Sequence, residues 1–172
     1  MKLYIRTETA ADLPAVAAVV EQAFQQKDEA VLVDRLRRHP AYLPALSLVA
    51  EADGQVVGHL LFTPAEIQDG GKSVPTLCLA PMSVAPGFQK KGVGKELIRT
   101  GLQKARELGF RSVIVLGHSD YYPKFGFRRA DRWNIRCPFP APPEAFMALE
   151  LVEGGLDGVA GEVVYLEPFY QL

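Results

Sequence analysis

An α/β fold of the α+β kind, with helices flanking one mixed sheet, is what the 172-residue sequence predicts. Three observations carry this expectation. Two amphipathic helical stretches open the chain. Three strand-like runs separated by hairpin turns follow. A glycine-containing loop, a long helix and a short apolar strand then turn the last of those runs into a βαβ crossover, whose two strands should be parallel.

Residues 2–7 alternate as a short strand does. Thr9-Ala10-Ala11-Asp12 offers a helix start, after which Leu13, Val16, Val19, Val20 and Phe24 recur at helical spacing. A second helical stretch runs from Glu29 to Arg38, with Ala30, Leu32, Val33 and Leu36 apolar, and Pro40 and Pro44 close it. The period then changes. Leu46–Glu51, Gln55–Ile67 and Ser73–Val84 read as strands of an antiparallel meander, because Asp53-Gly54 and Gly70-Gly71 between them supply hairpin turns. A helix follows from about Gly92 to Leu108, with Leu97, Ile98, Leu102, Ala105 and Leu108 as its apolar face and Gly109 as its stop. Ser112–Leu116 is apolar almost throughout, as a strand covered on both faces is. Pro138–Pro143 reads as an irregular connector, Phe146–Leu151 as a strand and Val163–Leu166 as a last alternating stretch. No repeat or low-complexity linker divides the chain, so residues 1–172 are expected to form one domain.

Composition narrows the function. Lys and Arg number 19 against 20 Asp and Glu, a net charge of −1 that gives no reason to expect nucleic acid or an anionic membrane as partner. The basic groups Arg35, Arg37, Arg38 and Lys124, Arg128, Arg129, Arg132 are short and read as solvated surface. Cys78 and Cys137 show no pairing rhythm, and His39, His59 and His118 no ligand spacing, so neither a disulfide nor a metal is expected. The start carries charge at both ends of Lys2–Arg6 and no apolar signal core, which points to the cytoplasm.

The chemistry concentrates in Met82-Ser83-Val84-Ala85-Pro86-Gly87-Phe88-Gln89-Lys90-Lys91-Gly92-Val93-Gly94-Lys95. A strand ends, and a loop with two glycines enters a helix whose first N–H groups lack partners and carry partial positive charge. That is an anion site, with Lys90, Lys91 and Lys95 around it. Two familiar phosphate loops do not fit. Gly87 and Gly92 have the spacing of a Walker loop, but Val93 stands where its lysine belongs; in the frame ending at Gly94-Lys95, Gln89 replaces the first glycine and Glu96 the hydroxyl residue. A dinucleotide fingerprint starts at Gly92-Val93-Gly94 but ends on Leu97.

What remains, Gln89-Lys90-Lys91-Gly92-Val93-Gly94, resembles the pyrophosphate loop of the GNAT superfamily of N-acetyltransferases, Arg/Gln-x-x-Gly-x-Gly/Ala. Downstream, Tyr121-Tyr122-Pro123-Lys124-Phe125-Gly126-Phe127 is similar to that family's Tyr-x-x-x-Gly-Phe segment, with Tyr122 four positions before Gly126. The order of elements matches over residues 2–127, and 128–172 resemble the family more loosely. The resemblance implies a GNAT-like mixed sheet and acetyl-CoA as co-substrate, with Met82, Ser83 and Val84 pairing with the pantetheine arm and Gln89, Lys90, Lys91, Gly92, Val93, Gly94 and Lys95 around the pyrophosphate. It implies direct attack by a primary amine on the thioester, with Tyr122 protonating the departing thiolate and Tyr121 packing elsewhere. The residues do not single out a base: Glu66, His118, Asp120 and a chain of waters all stay open. A homodimer is compatible with this reading. The alternative is a non-catalytic acyl-CoA-binding or regulatory module, against which Tyr122 speaks.

Overall fold

Thr9 opens the 3-10 turn Ala10–Asp12 that leads into the first helix, donating its main-chain N–H to Asp12 Oδ2 at 2.7 Å. The same carboxylate takes the Arg6 guanidinium at 2.7 Å, and Arg6 also reaches Glu51 at 2.8 Å, so one arginine ties the first strand to the helix start and to its neighbouring strand. The computed structural model describes residues 1–172. Its helices are α1 (Leu13–Phe24), α2 (Asp28–Arg37) and α3 (Val93–Glu107).

Nine strands share one sheet. The meander is β1 (Leu3–Thr7), β2 (Ser47–Ala52), β3 (Gln55–Asp69) and β4 (Lys72–Val84), each antiparallel to the last. The loop and α3 then lead to β5 (Ser112–Leu116), which pairs parallel with β4, as the crossover predicts. β6 (Arg128–Arg129) and β7 (Ile135–Arg136) are two residues each, and β8 (Phe146–Glu150) joins β5 on its other side. β9 (Gly161–Val164) returns to pair with the far end of β3 and with β7. β8 and β9 overlap the two late stretches that the sequence marks as strand-like, whereas β6, β7 and the pairing of β9 with β3 carry no readable signal in it.

α3 covers one face of the sheet. Val93, Leu97, Ile98, Leu102 and Ala105 pack with Leu60, Phe62, Leu77 and Leu79, and each buried leucine or isoleucine contributes about 1.5–3 kcal/mol. Leu108, expected on that face, is 52% exposed because the helix ends at Glu107. The other face lies under α2, whose Leu32, Val33 and Leu36 meet Leu61, Ile67 and Ile114, and under α1, whose Val16 and Val20 meet Val49.

One irregularity shapes the site. β4 pairs with β5 only at Leu77–Val113 and Cys78–Ile114. Beyond that point β5 stays with β8, while β4 continues on β3 alone. At the parting Leu60 faces Met82 and Phe62 faces Leu79, so Leu61 alone spans Ala80 and Pro81. This bulge redirects the strand. Pro81, without an N–H, also suits a stretch that has lost one neighbour.

Candidate active site

Where β4 and β5 part, a cavity of about 1130 Å³ runs through the sheet from the α3 side to the α1–α2 side. Met82, Ser83 and Val84 line it from the β4 edge that β5 has left. Their opposite edge is taken by Leu60, His59 and Gly58 of β3. Apart from the Val84 carbonyl, main-chain groups on that edge have no neighbouring strand and face the cavity, the geometry that accepts an extended, amide-bearing chain as a further strand.

The loop that leads into α3 closes the upper end. Gln89 and Lys90 line the cavity, and Gln89 Nε2 donates to the Val84 carbonyl at 3.1 Å, fastening the loop to the strand it leaves. Lys90 and Gly92 both take left-handed backbone, with φ of 62° and 86°, and the loop turns there into the helix start. The Val93 side chain is buried in the core, so only its main chain is free to meet a ligand. Lys90, Lys91 and Lys95 are exposed, with the Lys91 ammonium 5.6 Å from the Phe88 ring centre. A Cβ at Gly94 would stand 2.9 Å from the Tyr121 hydroxyl and 3.3 Å from Met82 Cε. Gly94 is therefore glycine because Tyr121 and Met82 already fill its side-chain position.

The tyrosine pair sits just below. Tyr122 is buried against Gly117, where a Cβ would come within 2.5 Å of its ring, and its ring meets Phe127 edge-on at 5.6 Å. Burial, as the main cause, pushes its phenol up to about 12. Tyr121 does not turn away as its sequence context suggests. It lines the same cavity, half-buried, with its ring 5.2 Å from Tyr122 and the Lys124 ammonium 5.1 Å from its own ring centre. Both side chains fit because Tyr121 serves as the stop against which Gly94 packs.

The three candidate bases separate. His118 lines the cavity. Asp120 lies exposed on the following turn, outside it. Glu66 sits toward the hairpin end of β3, where its carboxylate accepts from Ser73 Oγ at 3.1 Å, and it does not reach the cavity. Cys78 also lines the cavity, and burial pushes its thiol well above the ordinary range. His59 is completely buried opposite Ser83, its Nε2 3.0 Å from Ser47 Oγ and 3.6 Å from Glu8 Oε1. Burial holds its imidazole at about 4 against an ordinary 6.5, hence neutral. No group of three His, Cys, Asp or Glu side chains gathers into a metal cage, and no helix is long and apolar enough to cross a membrane.

The lower end lies toward α1 and α2 and is built from residues the sequence does not single out. Phe139, Tyr165, Phe169 and Tyr170 wall it, beside Leu32 and Glu29 of α2. The one available signal was the aromatic density of Tyr165, Phe169 and Tyr170 near the end of the chain.

Comparison with known proteins identifies the family. The sequence profile of the acetyltransferase (GNAT) domain matches residues 4–130. The chain is 34% identical over 168 residues to the uncharacterised N-acetyltransferase YhbS of Escherichia coli K12, covering 97% of this chain and 98% of that protein. It is 41% identical over 134 residues to the uncharacterised N-acetyltransferase YjhQ of the same organism, covering 77% and 74%. The crystal structure of E. coli YhbS in complex with CoA superposes with a TM-score of 0.91 at 33% identity, over 99% of this chain and 93% of that one. A GNAT acetyltransferase from Brucella melitensis in complex with acetyl-CoA gives 0.79 at 35% identity, over 98% of each.

Proposed function

The chain belongs to the GNAT family of N-acetyltransferases and uses acetyl-CoA as co-substrate; on that premise we propose that it transfers acetyl directly to a primary amine bound at the other end of the same cavity. The observation that carries this reading is the continuity of the cavity through the parted strands, which lets donor and acceptor meet without leaving the protein. Acetyl-CoA supplies the activated acyl group, a thioester.

The residues divide the work. The free edge of Met82, Ser83 and Val84 holds the pantetheine arm, and its main-chain N–H groups are the donors available to the carbonyl oxygen as charge develops. Gln89, Lys90, Lys91, Gly92, Val93, Gly94 and Lys95 form the pyrophosphate site, chiefly through main-chain N–H groups at the start of α3. Attack forms the N–C bond and breaks the C–S bond. The amine's proton passes to His118, directly or through water, since His118 alone of the three candidates borders the cavity.

Tyr122 serves the departing sulfur. Its raised pKa keeps the phenol protonated throughout the neutral range, so it is always a donor. A thiol of ordinary pKa about 8.5 is the stronger acid in water. The burial that disfavours the phenolate also disfavours a free thiolate leaving into the same cavity, and this narrows the gap. Cys78 points to direct transfer for a related reason: a thiol so firmly protonated is a poor nucleophile for an acyl-enzyme.

Initial rates measured with both substrates varied provide the test. Intersecting double-reciprocal lines are expected for a ternary complex; parallel lines signal a covalent acyl-enzyme and overturn the proposal.

A further inference from the structure

The lower end of the cavity has a chemistry of its own. Phe139 stands 5.1 Å from Tyr165 and 5.2 Å from Tyr170, and Tyr165 stands 5.2 Å from Phe169, ring centre to ring centre. These contacts, with the Tyr165 N–H donating to the Tyr170 hydroxyl at 3.1 Å, fix the rings as one wall. Leu32 is buried beside it. Among the lining side chains Glu29 is the one carboxylate, and it is only partly exposed. Lys90, the one ammonium, belongs to the opposite, donor end.

From this wall and this single acid, and resting on the acyl-transfer reading above, we infer that the acceptor is a small monoamine with an aromatic or comparably bulky apolar body. Glu29 offers a field for one ammonium at the entrance, and the rings take up the body once the amine has advanced to the thioester. A polyamine or an aminoglycoside brings further ammonium groups into the same space. Each must be desolvated there, and no second acidic side chain meets it. Specificity then comes from apolar burial on the acceptor and from the absence of partners for additional charge.

Thiol release from acetyl-CoA by the full chain tests this with 2-phenylethylamine, ethylamine, spermidine and kanamycin. kcat/KM is expected to be about 10- to 100-fold higher for 2-phenylethylamine than for ethylamine, the ratio that burying one ring gives, and higher than for either polycation. Phe169→Ala should reduce that ratio while the KM for acetyl-CoA holds. Tyr170→Ala, at a ring 48% exposed, repeats the test where folding is not at stake. A ratio near one in the unaltered protein, or spermidine or kanamycin as the better acceptor, overturns the inference and leaves acyl transfer standing. Release with none of the amines, under conditions where acetyl-CoA still raises the melting temperature, overturns both.

Discussion

The two ends of the cavity are made in different ways. The upper end is main chain: the free edge of β4, a loop pinned by Gln89 to Val84, and the first turn of α3, all within residues 82–95. The lower end is side chain: Leu32 and Glu29 from α2, Phe139 from a connector and Tyr165, Phe169 and Tyr170 from beyond β8. A donor that never changes can be met by backbone geometry, which tolerates varied side chains. An acceptor has to be told from other amines, and only side chains carry that information. The difference explains why a short motif identifies the donor while the acceptor has to be read from the folded wall.

The largest effect is expected where the two ends meet. Tyr122→Phe removes one oxygen from a buried ring and should lower kcat by about 10²–10⁴-fold with little change in acetyl-CoA affinity, as steady-state rates and direct binding would show. Tyr121→Phe should leave kcat nearly unchanged, since its hydroxyl abuts Gly94 and is not needed for proton transfer. The reverse pattern assigns the proton to Tyr121, and two silent variants assign it to water.

Next comes acid, which should strike the α1–α2 face. His59 is buried neutral there with its pKa lowered from 6.5 to about 4. Between those values the unfolded chain binds a proton that the folded chain refuses, so stability falls as pH drops from about 6.5 to about 4 and levels off below for this residue. The loss integrates to something on the order of 3 kcal/mol. Asp12, held well below the usual carboxylate range chiefly by Arg6, acts in a separate and lower window. Urea melts at pH 7 and pH 4.5 measure the difference, and His59→Asn should largely remove it. An unchanged difference in that variant excludes His59 as the cause.

The third test breaks the upper end alone. Gly94→Asp puts a Cβ against the Tyr121 hydroxyl and a carboxylate at the helix start, and should weaken acetyl-CoA by at least about tenfold, roughly 1.4 kcal/mol. Isothermal titration with acetyl-CoA reads this directly, alongside circular dichroism for the fold. A native spectrum with undiminished affinity removes the anion site from the start of α3.

What was legible in the sequence follows the same division. Hairpin turns at Asp53-Gly54 and Gly70-Gly71 announced the meander, and the amphipathic repeat of α3 announced the crossover, because each is a local pattern with a local cause. The Gln-x-x-Gly-x-Gly loop was visible because backbone demands recur at fixed spacing. Nothing local marks the parting of β4 from β5, which depends on β5 stopping at Leu116 and staying with β8. Tyr121 packs, as expected, but toward the cavity, because its place is set by the empty side-chain position of Gly94, 27 residues earlier in the chain. The aromatic wall has no period at all. Its members come together only when β9 folds back onto β3.

That return of β9 has a consequence in time. It meets β3 at three positions, Glu66–Val164, Ile67–Val163 and Gln68–Glu162, and β7 at two. The loop it closes is among the longest in the chain, so its entropy must be met before those few bonds form, whereas each hairpin of the meander closes locally. During synthesis the β4 edge and the α3 start emerge well before the residues of the wall. Amide exchange should accordingly open β9 ahead of β3 and β4. The half of the cavity that receives the common donor is assembled first, and the half that chooses the acceptor is the last to form and the first to loosen.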